Sequence, residues 1–126
     1  MGRKKFSILD RIRSFRFAIN GLKIFFLTEH NGRIHLVAAL LAIFLGIFLK
    51  ISNVEWVIVC LIIGAVFVAE ILNTAIEKLA DLVTEEINPK IKIVKDIAAG
   101  AVLVIAIVAL IVGLLVFLPK LIALLL

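Results

Sequence analysis

Cysteine is nearly absent from this chain: Cys60 stands alone, so no disulfide can form within it. It lies in an apolar run, where a small buried thiol is the expectation. Familiar nucleotide signatures are missing as well. There is no G-x-x-x-x-G-K-S/T loop and no H-R-D or D-F-G pair, so any nucleotide would be held by another arrangement. His30 and His35 have no zinc-type spacing around them and read as interfacial polar residues rather than metal ligands. No internal repeat or low-complexity tract stands out. The basic N-terminus leads into neither an apolar signal core nor a small-residue cleavage site, so the mature protein is expected to keep all residues. Nothing supplies a soluble basic surface with stacking aromatics, and no nucleic acid is expected as a partner.

What is present is apolar. Hydrophobic residues make up 64% of the 126, with a mean hydropathy of +1.26. Soluble domains sit near roughly 45–50% apolar, so the chain reads as a membrane protein. Three spans of about 20 residues and a short extramembrane part fill its length. A large soluble catalytic domain is excluded, and any chemistry must use residues at or near the membrane surface.

The expected fold class is an all-α integral membrane protein, one membrane domain over residues 1–126. An N-terminal amphipathic surface helix is expected over residues 7–28, because Ile8, Ile12, Phe15, Ile19, Leu22 and Phe26 recur at spacings of four and three. Arg13, Arg16, Asn20 and Lys23 fall on the other side. Three transmembrane helices follow, over residues 34–49, 55–83 and 95–118. Ser52-Asn53 reads as a tight turn, Trp56 as an aromatic interface anchor and Asn88-Pro89 as a helix break. Gly100 and Gly113 read as close-approach positions, and Pro119-Lys120 as the end of the last span.

Eight basic residues precede the first span and four more lie around the second loop, leaving only Lys50 and Lys120 for the other side. The positive-inside rule then places the N-terminus and second loop in the cytoplasm and the C-terminus outside.

The most informative stretch is Ala69-Glu70-Ile71-Leu72-Asn73-Thr74-Ala75-Ile76-Glu77. At 100° per residue, Glu70, Asn73, Glu77 and Asp81 form one narrow stripe on an otherwise apolar helix. Glu70 lies roughly 21 Å along the axis from Trp56, inside a hydrocarbon core of about 30 Å. Glu77 should reach the polar boundary. Ionisable groups at such depth cost several kcal/mol unless they have partners, water or a task.

Two further polar groups are expected at the same boundary: Glu29-His30-Asn31 with Arg33 and His35, and Lys95-Asp96. Carboxylates from different helices suit a hard divalent cation that bridges substrate phosphates, and a nearby lysine can pair with phosphate oxygens. Glu70, the deepest, suits accepting a hydroxyl proton. Together these parts suit phosphoryl transfer from a cytoplasmic nucleotide to a hydroxyl presented at the membrane surface. Two rivals remain open: a small transporter or channel with Glu70 and Glu77 lining an ion path, and a scaffold whose stripe only specifies helix packing.

The nine-residue motif, together with Lys95-Asp96-Ile97-Ala98-Ala99-Gly100-Ala101-Val102 and Gly21-Leu22 followed by Glu29, resembles the prokaryotic integral-membrane diacylglycerol kinase family, which includes undecaprenol kinases. The resemblance covers residues 15–118. It implies a homotrimer of the bacterial inner membrane with active sites shared between subunits, and ATP with Mg²⁺ as the phosphoryl donor. It implies Glu70 as general base, Asn73 as a polar positioning residue in the same site, and Glu29 and Glu77 as ligands of the metal that accompanies ATP. Lys95, Asp96, Glu86 and Asn88 would lie near the nucleotide with Glu29 and Glu77, and Asn31, Arg33, His35, Glu70 and Ala99 would border the lipid. The family's diacylglycerol kinases carry a basic residue and a tyrosine in the surface helix, where this chain has Asp10 and Phe17, so no nucleotide contact is assigned there. Arg33-Ile34-His35-Leu36 and Val54-Glu55-Trp56 look more like undecaprenol-type members.

Overall fold

The computed structural model describes residues 2–126, and they form four helices: α1 (Ile8–Thr28), α2 (His30–Phe48), α3 (Asn53–Val83) and α4 (Pro89–Leu125). The last three are each long and apolar enough to cross a membrane.

Local chemistry sets the boundaries. Ser7 caps α1 by accepting from the Asp10 N–H. A single extended residue, Glu29, separates α1 from α2. Arg33, in the first turn of α2, donates back to the carbonyls of Phe26 and Leu27 and satisfies groups that the end of α1 leaves open. At the far end of α2, the Ile51 N–H returns to the Gly46 carbonyl at 3.1 Å while Lys50 takes a left-handed φ of 52°. Ser52 and Glu55 then form a reciprocal capping box that opens α3. Asn88 Oδ1 accepts from the Lys90 and Ile91 N–H groups, and Pro89 opens α4, where its missing N–H costs nothing.

Three helix limits differ from the sequence expectation. α2 begins at His30 rather than 34, because the polar turn His30–Arg33 is helical although not apolar. α4 begins at Pro89, well before 95, and Pro119 does not end it, since the helix continues to Leu125. A proline removes one backbone donor, a loss that membrane helices absorb through local adjustment.

α3 and α4 pack along each other most extensively, and α2 lies against α3. At one end Ile51, Val59 and Val116 form a buried cluster, with Trp56, Ile63 and Phe117 against it. Trp56, expected as an interface anchor, also covers Gly46, where a Cβ would come within 2.6 Å of its ring. Lys120 and Glu55 pair at 3.2 Å near this end.

The close approaches occur at Gly32 and Gly46. Within the single chain, a Cβ at Gly100 or Gly113 would meet nothing within 4 Å. Cys60 is likewise exposed rather than buried. Helical periodicity tells which residues share a face, not which face meets a neighbour.

Gly32 seats the α1–α2 junction. A Cβ there would lie 2.7 Å from the ring of Phe25, which is only 3% exposed. Gly32→Ala is expected to cost about 1–3 kcal/mol through overpacking, read as a lower unfolding midpoint in detergent micelles. Gly21→Ala, with nothing within 4 Å of its added Cβ, should not lower that midpoint.

Candidate functional site

The polar stripe lies on α3 as its spacing requires, and burial falls along it. Glu70 is 3% exposed, Asn73 and Glu77 are half-buried, and Asp81 is exposed. The stripe therefore runs from the packed interior toward the α3–α4 loop.

Each member has a partner. Glu70 Oε1 lies 2.8 Å from His35 Nε2, a contact between α2 and α3. Asn73 Nδ2 donates to Glu77 Oε1 at 3.2 Å, one helical turn on. Asp81 Oδ1 accepts from Lys95 Nζ at 2.6 Å, tying α3 to α4. Glu29, at the α1–α2 break, reaches Lys78 of α3 at 3.8 Å. The junction preceding α2 is thereby drawn to Lys78 of α3.

Other candidates stand differently. Asp96 pairs with Lys92 one turn back within α4, and Lys95 sits in the second turn of α4. Asn88 spends its side-chain oxygen on the α4 cap, and Glu86 is exposed in the loop. Arg33 is committed to the carbonyls of α1. Asn31 and Ala99 are exposed, and neither touches Glu70 through a hydrogen bond. The structure thus joins Glu29 to Lys78 and Asn73 to Glu77, and places Glu70 deeper with His35.

One buried side-chain oxygen has no partner among the described residues: Asn73 Oδ1. Leaving such an atom unpaired costs about 1–3 kcal/mol, so a carboxamide oxygen beside the Glu77 carboxylate calls for a donor or a cation. Oxygen donors of this kind fit Mg²⁺, which takes one or two protein carboxylates and fills its other positions with phosphates and water. Among the described residues, no three His, Cys, Asp or Glu side chains cluster as a complete metal cage.

A cavity of about 180 Å³ opens between α2, α3 and α4, lined by Ala38, Ala39, Ala42, Val66, Phe67 and Gly113 among others. Its lining is apolar except for His35, the residue that holds Glu70. A short part of an apolar chain next to a polar end fits such a space. The His35–Glu70 contact was missed at the sequence level, where His35 was placed only at the lipid border. The one available signal was that Gly32, His35 and Ala39 share a face of α2 at spacings of three and four.

Residues 16–117 match the family described as prokaryotic diacylglycerol kinase. The chain is 45% identical over 109 residues to a protein of Bacillus subtilis named undecaprenol kinase, covering 86% of this chain and 89% of that one. It is 39% identical to a Synechocystis protein named diacylglycerol kinase, covering 88% of this chain and 64% of the relative. A diacylglycerol kinase of Escherichia coli K12 is 31% identical over 79% of this chain and 82% of its own length.

Proposed function

The chain belongs to the prokaryotic diacylglycerol kinase family, and on that premise we propose that it transfers the γ-phosphoryl group of MgATP to the hydroxyl of a membrane lipid. It is a lipid kinase. The acceptor is undecaprenol or diacylglycerol; the 45% identity to the undecaprenol kinase supports the polyprenol. Family membership favours this reading over an ion path through Glu70 and Glu77.

The observation that carries the site assignment is the graded stripe on α3, with a deeply buried carboxylate at one end and an orphaned oxygen beside a second carboxylate nearer the loop. Glu70 accepts the proton of the lipid hydroxyl. The lipid oxygen forms a bond to the γ-phosphorus, and the bond from that phosphorus to the β–γ bridging oxygen breaks, its electron pair leaving with ADP. Glu77 and Glu29 hold the magnesium that comes with ATP, and Asn73 offers its free carboxamide oxygen in the same place. Magnesium supplies charge neutralisation for the phosphates. Lys95 adds positive charge there, with Asp81 fixing its direction. Asp96, Glu86 and Asn88 border the nucleotide, and Asn31, Arg33, His35 and Ala99 border the lipid.

The inner membrane is the proposed location, with the N-terminus and the α3–α4 loop in the cytoplasm, supported by twelve of the fourteen basic residues falling on that side. α1 is proposed to lie along the surface with its apolar face in the headgroup–acyl boundary, consistent with Ile8, Ile12, Phe15 and Ile19 being exposed in the single chain. The homotrimer with shared sites follows from the family resemblance; the groove between α3 and α4, where Ala65, Ala69, Ala98 and Ala101 lie among Val68, Leu72 and Ile76, is a place where a neighbouring helix could pack.

The test offers radiolabelled ATP to the purified protein with undecaprenol and diacylglycerol in parallel. Label is expected in the extracted lipid, more with undecaprenol. Absence of label in both, with ion flux in liposomes, would replace the kinase reading by the transport one.

A further inference from the structure

We propose that His35 is a positioning residue for the transfer step: its Nε2–H holds one oxygen of the Glu70 carboxylate, so that the other oxygen faces the lipid hydroxyl. The inference rests on the reading of Glu70 as the base and adds the partner that aims it.

The geometry is specific. His35 Nε2 lies 2.8 Å from Glu70 Oε1, joining residues 35 positions apart on α2 and α3. The Glu70 side chain is 4% exposed and that of His35 is 27% exposed, so the carboxylate is enclosed while the imidazole keeps an edge open. An ionised carboxylate has no proton to give, so the pair requires the hydrogen on Nε2, which leaves Nδ1 as an acceptor. The contact uses only one carboxylate oxygen. Asn73 Oδ1 is the one buried side-chain oxygen without a partner among the described residues, so the second Glu70 oxygen is not sealed off. His35 also lines the apolar cavity between α2, α3 and α4, and an acceptor with a short part of its tail in that space meets His35 and Glu70 together.

No other charged group competes for Glu70 among the described contacts. On α2, Arg33 is held by the carbonyls of α1. At the end of α1, Glu29 pairs with Lys78 of α3. Further along α3, Glu77 bonds to Asn73 and Asp81 to Lys95 of α4, and on α4 Lys92 pairs with Asp96. His30, the other histidine, is exposed on a different face of α2. A hydrogen bond to an ionised carboxylate is stronger than one between neutral groups. It fixes the direction of the carboxylate's free lone pairs. Misplacing a reacting group by about 1 Å costs roughly 10²-fold in rate. In the step the proton passes from the lipid oxygen to the free Glu70 oxygen, and His35 keeps its Nε2–H on the other oxygen.

The experiment measures kcat and the KM for MgATP of the full-length protein in micelles containing the lipid acceptor. The variants are Glu70→Gln, His35→Ala, His35→Met and His35→Gln, each checked by thermal unfolding and gel filtration. His35→Ala is expected to lose about 10²-fold in kcat with an unchanged KM for MgATP. His35→Met fills the volume without a donor and should repeat this split even if His35→Ala does not fold. His35→Gln retains an N–H donor and should recover most of the rate. An inactive Glu70→Gln beside donor-free His35 variants that stay within twofold of wild type, or a His35→Gln as slow as His35→Met, would overturn the role of His35 alone. An active Glu70→Gln would remove the base assignment itself.

Discussion

Glu70→Gln is expected to abolish lipid phosphorylation, with a loss of about 10²–10⁴-fold in kcat, while the protein stays folded. The substitution preserves volume, and a glutamine carbonyl can still accept from the Nε2–H of His35 across the α2–α3 interface. What it removes is the basic carboxylate in a position only 3% exposed. Taking an ionised group out of such a place does not lower stability in itself, because its burial carried a desolvation cost. Activity and unfolding midpoint should therefore separate: transfer of label to lipid falls to background, and the midpoint in micelles holds or rises. A variant that loses both together would mean that the carboxylate serves packing.

The second large effect is expected at Glu77. Glu77→Gln keeps the oxygen that accepts from Asn73 Nδ2 at 3.2 Å and removes the charge. With one oxygen ligand weakened, kcat/KM for MgATP should fall by about 10²–10³-fold, and saturation should require more magnesium. The contrast with Glu70→Gln lies in binding. The deeper substitution leaves nucleotide affinity intact, whereas the shallower one reduces it. Titration of magnesium at fixed ATP, in both variants, separates the two roles.

Features internal to one helix could be read from the sequence. The stripe at Glu70, Asn73, Glu77 and Asp81 needs only the 3.6-residue period, and its graded burial on α3 agrees with that reading. Asn88-Pro89 announced a helix break and proves to be the cap of α4. Features between helices were not legible. Nothing in the residue spacing couples His35 to Glu70, Glu29 to Lys78 or Lys95 to Asp81, because each pair depends on how two helices are rotated against each other. For the same reason Gly32 and Gly46, not Gly100 and Gly113, turned out to be the close-approach glycines within the single chain. Pro119 misled in a different way: the rule that proline stops a helix is a rule for water, and in a long apolar segment the helix carries on.

The division of labour along α3 is tested most directly by equilibrium binding of MnATP to the Glu70→Gln variant, read by the electron paramagnetic resonance of the metal. The account predicts wild-type affinity for the nucleotide complex in a protein that transfers no phosphate to lipid. Loss of MnATP binding in this variant, as deep as that expected for Glu77→Gln, would contradict it and move Glu70 from the lipid hydroxyl to the metal.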